Sequence, residues 1–434
     1  MSCFSIDFQW LPREYGDAIA RATLAEVAIT ADGWTVTELD DLMARTVRRG
    51  VRVSAYALAK WFASNWWRLR WEPERNTLSW KMSHKIGAAG EGYLWPDLAF
   101  ISDGGMVLVH AKSSPPSSEA PLRYLNNIDV VISAGEFEHG IDTFIEAVIG
   151  RLSGAGINED GLFAVWREIL EERRDPKLTA WRKIEAVLGF DPGDAPDQLI
   201  ADIQKAGREY GAGAVEEMAA ASGENALDDI NVLWDGPRRE ALALNVPDID
   251  SLRRKIHDEI QSFPFPWQKA VEAARMVRDA WSLDAGPVST AKLSEIFGIS
   301  QDMIERPSSI KGPMNAGFRN GQMDCFSVFL KSPISVSRRF ALLRLVGDHL
   351  TATPEDRLLP AAPRVGTQRQ KFQRAFAQEF LCPYSELVSY LDSEEPSNEA
   401  IEDAANHFAV SPLMVSTILV NKGDLERSYL ACSQ

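Results

Sequence analysis

Histidine and cysteine are scarce in this chain. Six histidines occur in 434 residues (His84, His110, His139, His257, His349 and His407), and no two stand three or four positions apart. That spacing sets two imidazoles on one helix face, so no local His-based zinc site is expected. The four cysteines (Cys3, Cys325, Cys382, Cys432) form no CxxC pair. Their scatter argues against a zinc ribbon or a disulfide scaffold and fits a reducing cytoplasm. No run of about 18 uninterrupted apolar residues is present, so no membrane span is expected. The opening MSCFSIDFQWLPREYGD has no basic region leading into an apolar core, so no secretory signal is expected either. Positive charge is also short: 46 Lys and Arg against 62 Asp and Glu give a formal charge of −16. Phosphate attraction needs a basic surface, so nucleic acid is not the expected partner of the whole chain.

What is present reads as an ordinary globular chain of two to four domains, with 45% hydrophobic and 25% charged residues. The expected fold class is α+β and mainly α-helical. Residues 1–135 read as an aromatic-rich α+β domain. Within it YALAKWFASNWW (Tyr56 to Trp67) has the apolar period of a buried helix. TLSWKM, GYLWPDLAFI and GMVLVHA, rich in aromatic and β-branched residues, read as strands, with Ser102-Asp103-Gly104-Gly105 as a hairpin loop. Trp61, Trp66, Trp67, Trp71, Trp80 and Trp95 crowd the same region. They suit a stacking platform for bases, but a large aromatic core is the simpler reading.

Residues 136–262 read as an acidic helical connector, in which the acidic stretch 214–250 is expected to be a solvated face. Phe263-Pro264-Phe265-Pro266 suggests a break, after which residues 263–434 form a third unit. This unit contains an internal echo: FGISQDMI from Phe297 and FAVSPLMV from Phe408, each a helix, a capping Ser and a second helix. The pattern is that of a helix-turn-helix. The second helix of the later copy, PLMVSTILV, has no Arg, Lys, Asn or Gln to read base edges, so helix packing is favoured over DNA contact.

Arg338 to Leu350 (RRFALLRLVGDHL) resembles the RRFxLAHELGHxL helix of the ImmA/IrrE metallopeptidase family. Ala375 to Pro383 (AFAQEFLCP) is similar to that family's second helix, and Ile401 to Gly423 to its helical tail. Trp267 to Ile304 resembles its opening helices, and Asp324 to Leu330 the strand before the catalytic helix, so the likeness spans residues 264–434. It implies a zincin-like domain in which two histidines four apart hold zinc and a glutamate between them acts as base. Carried over residue by residue, the first His falls on Arg344, the Glu on Leu345 and the second His on Asp348. The third ligand falls on Gln370 or, two positions on, Phe372. Arginine cannot give up its proton to bind zinc and leucine cannot act as a base, so the implied zinc site is degenerate and no cofactor is expected.

Arg344 and Asp348 at i and i+4 share a helix face and are expected to pair. The sharper expectation is that Arg344, with Arg339, Gln370 and Arg374, lines the former cleft and takes an anion, such as a nucleotide or a partner's carboxylate. Between Lys331 and Leu381 nine basic residues face four acidic ones, which favours such a site. A relocated metal site from His349, Asp348 and Glu379 is the weaker reading, against His349 as a partly exposed helix residue. In the N-terminal half, Pro96-Asp97 followed by His110-Ala111-Lys112 is similar to a PD-(D/E)xK nuclease layout, with His110 where a magnesium-binding acid is needed. The resemblance implies a catalytically inactive bacterial regulator or sensor that binds a repressor, antitoxin or effector protein in stress response, toxin–antitoxin systems or phage defence. The alternatives are a hydrolase with a relocated site and a DNA-binding regulator.

Overall fold

Leu24–Ala31 alternates half-buried and buried residues along its length, the two-residue period of a strand with one face on a core. It lies between Phe4–Trp10 and Val51–Ser54 in an antiparallel sheet, with Phe4 opposite Ala31. A second antiparallel sheet has Met106–Lys112 between Asp97–Ser102 and Ile128–Ser133. A small third one joins Thr46–Arg48, Leu39–Asp41 and Leu122–Tyr124. In the expected hairpin, Asp103 Oδ1 accepts from the amides of Gly105 and Met106, and Gly104 sits at φ 97°, which glycine adopts without strain.

The computed structural model describes residues 4–12, 16–116, 119–158, 161–320, 322–392, 396–427 and 429–430; the side chains of residues 320 and 322–325 are outside that description, as are Cys3 and Cys432. The fold is α+β and mainly helical, 55% helix against 16% strand. The chain divides into two compact units, 1–200 and 201–434.

In the first unit, helices Ala55–Ser64 and Trp66–Trp71 bury Trp61, Trp66 and Trp67 against Phe62 and Phe100. Trp80 is buried as well, while Trp71 and Trp95 are half-buried, so the tryptophans build a core. TLSWKM is not a strand. Thr77 accepts from the Trp80 N–H and caps the helix Leu78–His84, and the cap outweighs the local β-like composition. Ala134–Gly154 starts at a full capping box, Ser133 with Glu136, and sends Phe137, Ile141, Phe144 and Val148 into the same core. The helical stretch 136–262 thus contributes its first helices to this unit and Ala212–Ser222, Ala226–Asp235 and Ile249–Ile260 to the second.

In the second unit an antiparallel sheet runs Leu242–Leu244, Gln322–Phe329, Asn315–Asn320, Leu358–Ala361. Beside it lies a central helix, Ser335–Thr351, buried from Arg338 to Leu350 except at Phe340. A crossing helix, Gln368–Leu381, packs closely on it because Gly347 has no Cβ, which would stand 2.6 Å from the Phe376 ring. The Phe263–Pro266 break falls between Ile249–Ile260 and Pro266–Ala280, two helices of this one core. The two helix-turn-helix-like pairs are Thr290–Phe297 with Gln301–Glu305 and Asn398–Phe408 with Pro412–Lys422. They turn at the left-handed residues Gly298 and Ala409. Met414, Val415, Ile418 and Leu419 of the last helix are buried in the core.

Candidate functional site

The central helix carries five ionisable side chains, Arg338, Arg339, Arg344, Asp348 and His349, none more than 5% exposed. Burying charge is costly unless each group finds partners, so the partners reveal what the helix is built to do. Arg338 donates to the carbonyls of Ile304 (2.6 Å), Met303 (3.1 Å) and Leu330 (2.5 Å). Arg339 donates to Ala409 O at 2.7 Å and to Val288 O. The RRF arginines therefore tether the central helix to both helix-turn-helix-like pairs. Arg339, expected at a ligand cleft, is a tether.

Arg344 and Asp348 do not pair with each other. Arg344 Nη2 donates to Gln370 Oε1 (2.6 Å), Ala362 O (2.9 Å) and Gln373 Oε1 (3.2 Å). Asp348 is held by Arg369 of the crossing helix, Nε to Oδ1 at 2.7 Å and Nη2 to Oδ2 at 2.9 Å. Arg369 reaches on to Asp356 Oδ2 at 2.8 Å, whose other oxygen accepts from the Ala214 amide. A planar guanidinium offers a fork that matches a carboxylate, and an i,i+4 neighbour cannot present it as well as a second helix can. Gln370 passes the network on, donating through Nε2 to Glu217 Oε2 (2.9 Å) and Pro360 O (2.9 Å). Glu217 also accepts from the Thr367 hydroxyl at 2.7 Å. Arg374, the remaining cleft candidate, donates to Val365 O.

Burial dominates the electrostatics. It pushes the Glu217 and Asp356 carboxyls above their usual range, against the pull of Arg369 on both. Burial, with Arg374 nearby, lowers Arg344 to about 9, so it remains a cation at neutral pH. For Arg369 burial acts downwards, but Asp348, Asp356 and Glu217 outweigh it and raise its pKa. Arg344 Nε is buried with no acceptor among the described residues.

His349 is not partly exposed; it is 1% exposed. Its ring stacks on Phe326 (centroids 4.1 Å apart, 2° between planes), and Nδ1 accepts from Arg319 Nε at 2.9 Å. Burial, then Arg319 and Arg253, lowers its pKa to about 2, so it is neutral, with the proton on Nε2. Arg319 and Arg253 both donate to His349 O, and Arg253 also to Ala352 O, so two cations close the carbonyl end of the central helix. Glu379 is engaged elsewhere, by Arg275 Nε (3.1 Å) and the Tyr384 amide (3.3 Å). His349, Asp348 and Glu379 thus each have separate partners and do not converge. Among the described residues, no group of three His, Cys, Asp or Glu could hold a metal ion. With Asp348 bidentate to an arginine and Arg344 unable to donate an electron pair, the residues at these positions do not fit zinc.

In the first unit, Asp97 stands opposite Lys112 across the hairpin, and His110 opposite Ala99. Asp97 Oδ1 accepts from Lys85 Nζ at 2.9 Å, and His110 Nδ1 lies 2.5 Å from Asp129 Oδ1. The nuclease-like trio therefore shares two neighbouring strands, with Asp97 and His110 each drawn into a local pair.

Sequence reasoning missed Arg319, Arg253, Asp356 and Gln373, and read Glu217 as part of a solvated face although it is 7% exposed. Arg369 had only a weak signal, its place one position before Gln370, a candidate third ligand. Glu217 had none, because its burial comes from contacts about 150 positions away along the chain. No family model matches the chain, and neither a curated protein nor a solved structure does.

Proposed function

We propose that this protein is a non-hydrolytic ImmA/IrrE-like regulator that acts by binding a protein partner such as a repressor, antitoxin or effector. The observation that carries the reading is the Arg344–Gln370 hydrogen bond. It joins the position to which the resemblance assigns the first zinc ligand to Gln370, one of the two candidates for the third, and the second, Asp348, is locked by Arg369 next door. Where the family is tied together by a metal, this chain has a hydrogen-bonded charge network on the same pair of helices. Such a network fixes the helices and leaves no open coordination position for a reacting water. Arg344, with its acceptors inside the protein, serves this scaffold more than it serves an external anion. The surfaces presented by the two tethered helix pairs are then the natural place for a partner, in a stress-response, toxin–antitoxin or phage-defence setting. Metal analysis of the purified chain tests the reading. Substoichiometric zinc after dialysis is expected, and one tightly held zinc per chain, lost on Asp348→Ala, would overturn it.

A further inference from the structure

A cavity of about 590 Å³ opens beside His349, floored by the start of the helix Ile249–Ile260. Three observations there point to a ligand. First, the helix begins without a cap: Asp248 sits at φ 53° and its side chain accepts none of the first-turn amides. Leu252 N–H bonds to Asp248 O, while the amides of Ile249, Asp250 and Ser251 have no acceptor among the described residues. Second, His349 lines the same cavity, and its polar capacity is half used. Its Nδ1 is taken by Arg319 and its face by Phe326, which leaves Nε2–H, for which no hydrogen-bond partner is found among the described residues, as the donor His349 can offer to the cavity it lines. Third, the charges at the mouth are of both signs. Asp248 and Asp250 are exposed there beside Arg254.

Amide and imidazole N–H donors lining one cavity suit a carboxylate, helped by the positive end of a twelve-residue helix. The two aspartates oppose a free dianion such as phosphate, but they suit an ammonium attached to that carboxylate. We propose that this cavity binds a free α-amino acid, its carboxylate on the Ile249–Ser251 amides and His349 Nε2–H, its ammonium between Asp248 and Asp250. The volume leaves room for a side chain against Phe326, Leu244 and Val246. The site lies at the carbonyl end of the central helix, where Arg253 of the same cavity helix holds His349 O, so occupancy stiffens that junction. It does not rest on the peptidase-like reading, and either can fail without the other.

The test is calorimetric titration of the full chain with each of the common α-amino acids, and with sodium acetate, n-butylamine and inorganic phosphate. At least one amino acid is expected to bind saturably, with acetate and butylamine each weaker by tenfold or more. Asp250→Asn, at an exposed position, should weaken the amino acid on the order of tenfold, the worth of one charged hydrogen bond, and leave acetate equal or tighter. His349→Phe should weaken both carboxylates; if that variant does not fold, Asp250→Asn and the acetate comparison decide. Absence of saturable binding by any amino acid would overturn the proposal. So would phosphate binding more tightly than every amino acid, or affinity unmoved by Asp250→Asn.

Discussion

Arg369 grips Asp348 with two parallel hydrogen bonds, 2.7 and 2.9 Å long, from one helix to the next. Asp348 is 1% exposed, so the pair is a buried one whose worth lies in its completeness. Removing one partner strands the other charge, at a cost of about 3–5 kcal/mol. Arg369→Ala should lower the opening free energy of the central-helix amides by that amount in native-state hydrogen exchange. Asp348→Leu with Arg369→Met removes both charges and should lose much less, although Asp356 is then left without its arginine. Equal losses in the single and double variants would show that the pair is not the tie between these helices.

Two histidines make the fold sensitive to acid. His84 is lowered to about 4, chiefly by burial, with Arg68 adding to the effect; His349 is lowered to about 2 by burial, Arg319 and Arg253. In the unfolded chain each titrates near about 6.5. Below that pH the unfolded state binds a proton that the folded state refuses. The stabilisation is thus complete above about 6.5 and declines as pH falls towards the folded values, by about 1.4 kcal/mol per pH unit for each histidine. His349→Asn keeps an acceptor for Arg319 and cannot take a proton. Urea unfolding from pH 7.5 to 4.5 should show a shallower acid decline for this variant. An unchanged slope would remove His349 from the account.

Arg344 should matter less than Arg369. Arg344→Met strips a donor from Gln370 Oε1 and Gln373 Oε1, which costs about 1–3 kcal/mol for buried acceptors left open. It also removes a buried cation whose Nε has no acceptor among the described residues, which partly offsets the loss. Hydrogen exchange of Ser335–Thr351 should therefore rank wild type above Arg344→Met and Arg344→Met above Arg369→Ala. The reverse order would mean that Arg344 rather than Arg369 anchors the network.

The elements that follow apolar periodicity were legible in the sequence. YALAKWFASNWW becomes buried helix, broken at Asn65 into Ala55–Ser64 and the start of Trp66–Trp71, GMVLVHA becomes strand, and the tryptophans become core because apolar surface sets all three. Polar partners were much less legible. Spacing put Arg344 and Asp348 on one face, yet spacing says nothing about Arg369, which meets Asp348 only because another helix crosses there. His349 looked like a surface residue beside Asp348 until Phe326 covered its ring. Glu217 belongs to an acidic stretch whose composition suggests water, and only Thr367 and Gln370 make it an interior acceptor. TLSWKM failed for a local reason: a capping hydroxyl at Thr77 acts on the backbone more strongly than the aromatic content that suggested a strand.

Gly347 tests the close crossing of the two helices on which the whole network depends. In an exposed helix, Gly→Ala gains about 1 kcal/mol from reduced backbone entropy in the unfolded chain. Here the added Cβ would stand 2.6 Å from the Phe376 ring, inside any permitted contact, and the ring is fully buried with little room to withdraw. Overpacking of this kind costs about 1–3 kcal/mol, so the sign should reverse and Gly347→Ala should destabilise. The strain should also push the crossing helix outwards and lengthen the Arg369–Asp348 contact. Phe376→Leu in the Gly347→Ala background should recover part of the loss, whereas Phe376→Leu alone should destabilise by opening a gap. A double-mutant cycle read by urea midpoints measures this coupling. If Gly347→Ala proves stabilising, the helices do not approach as closely as the network requires.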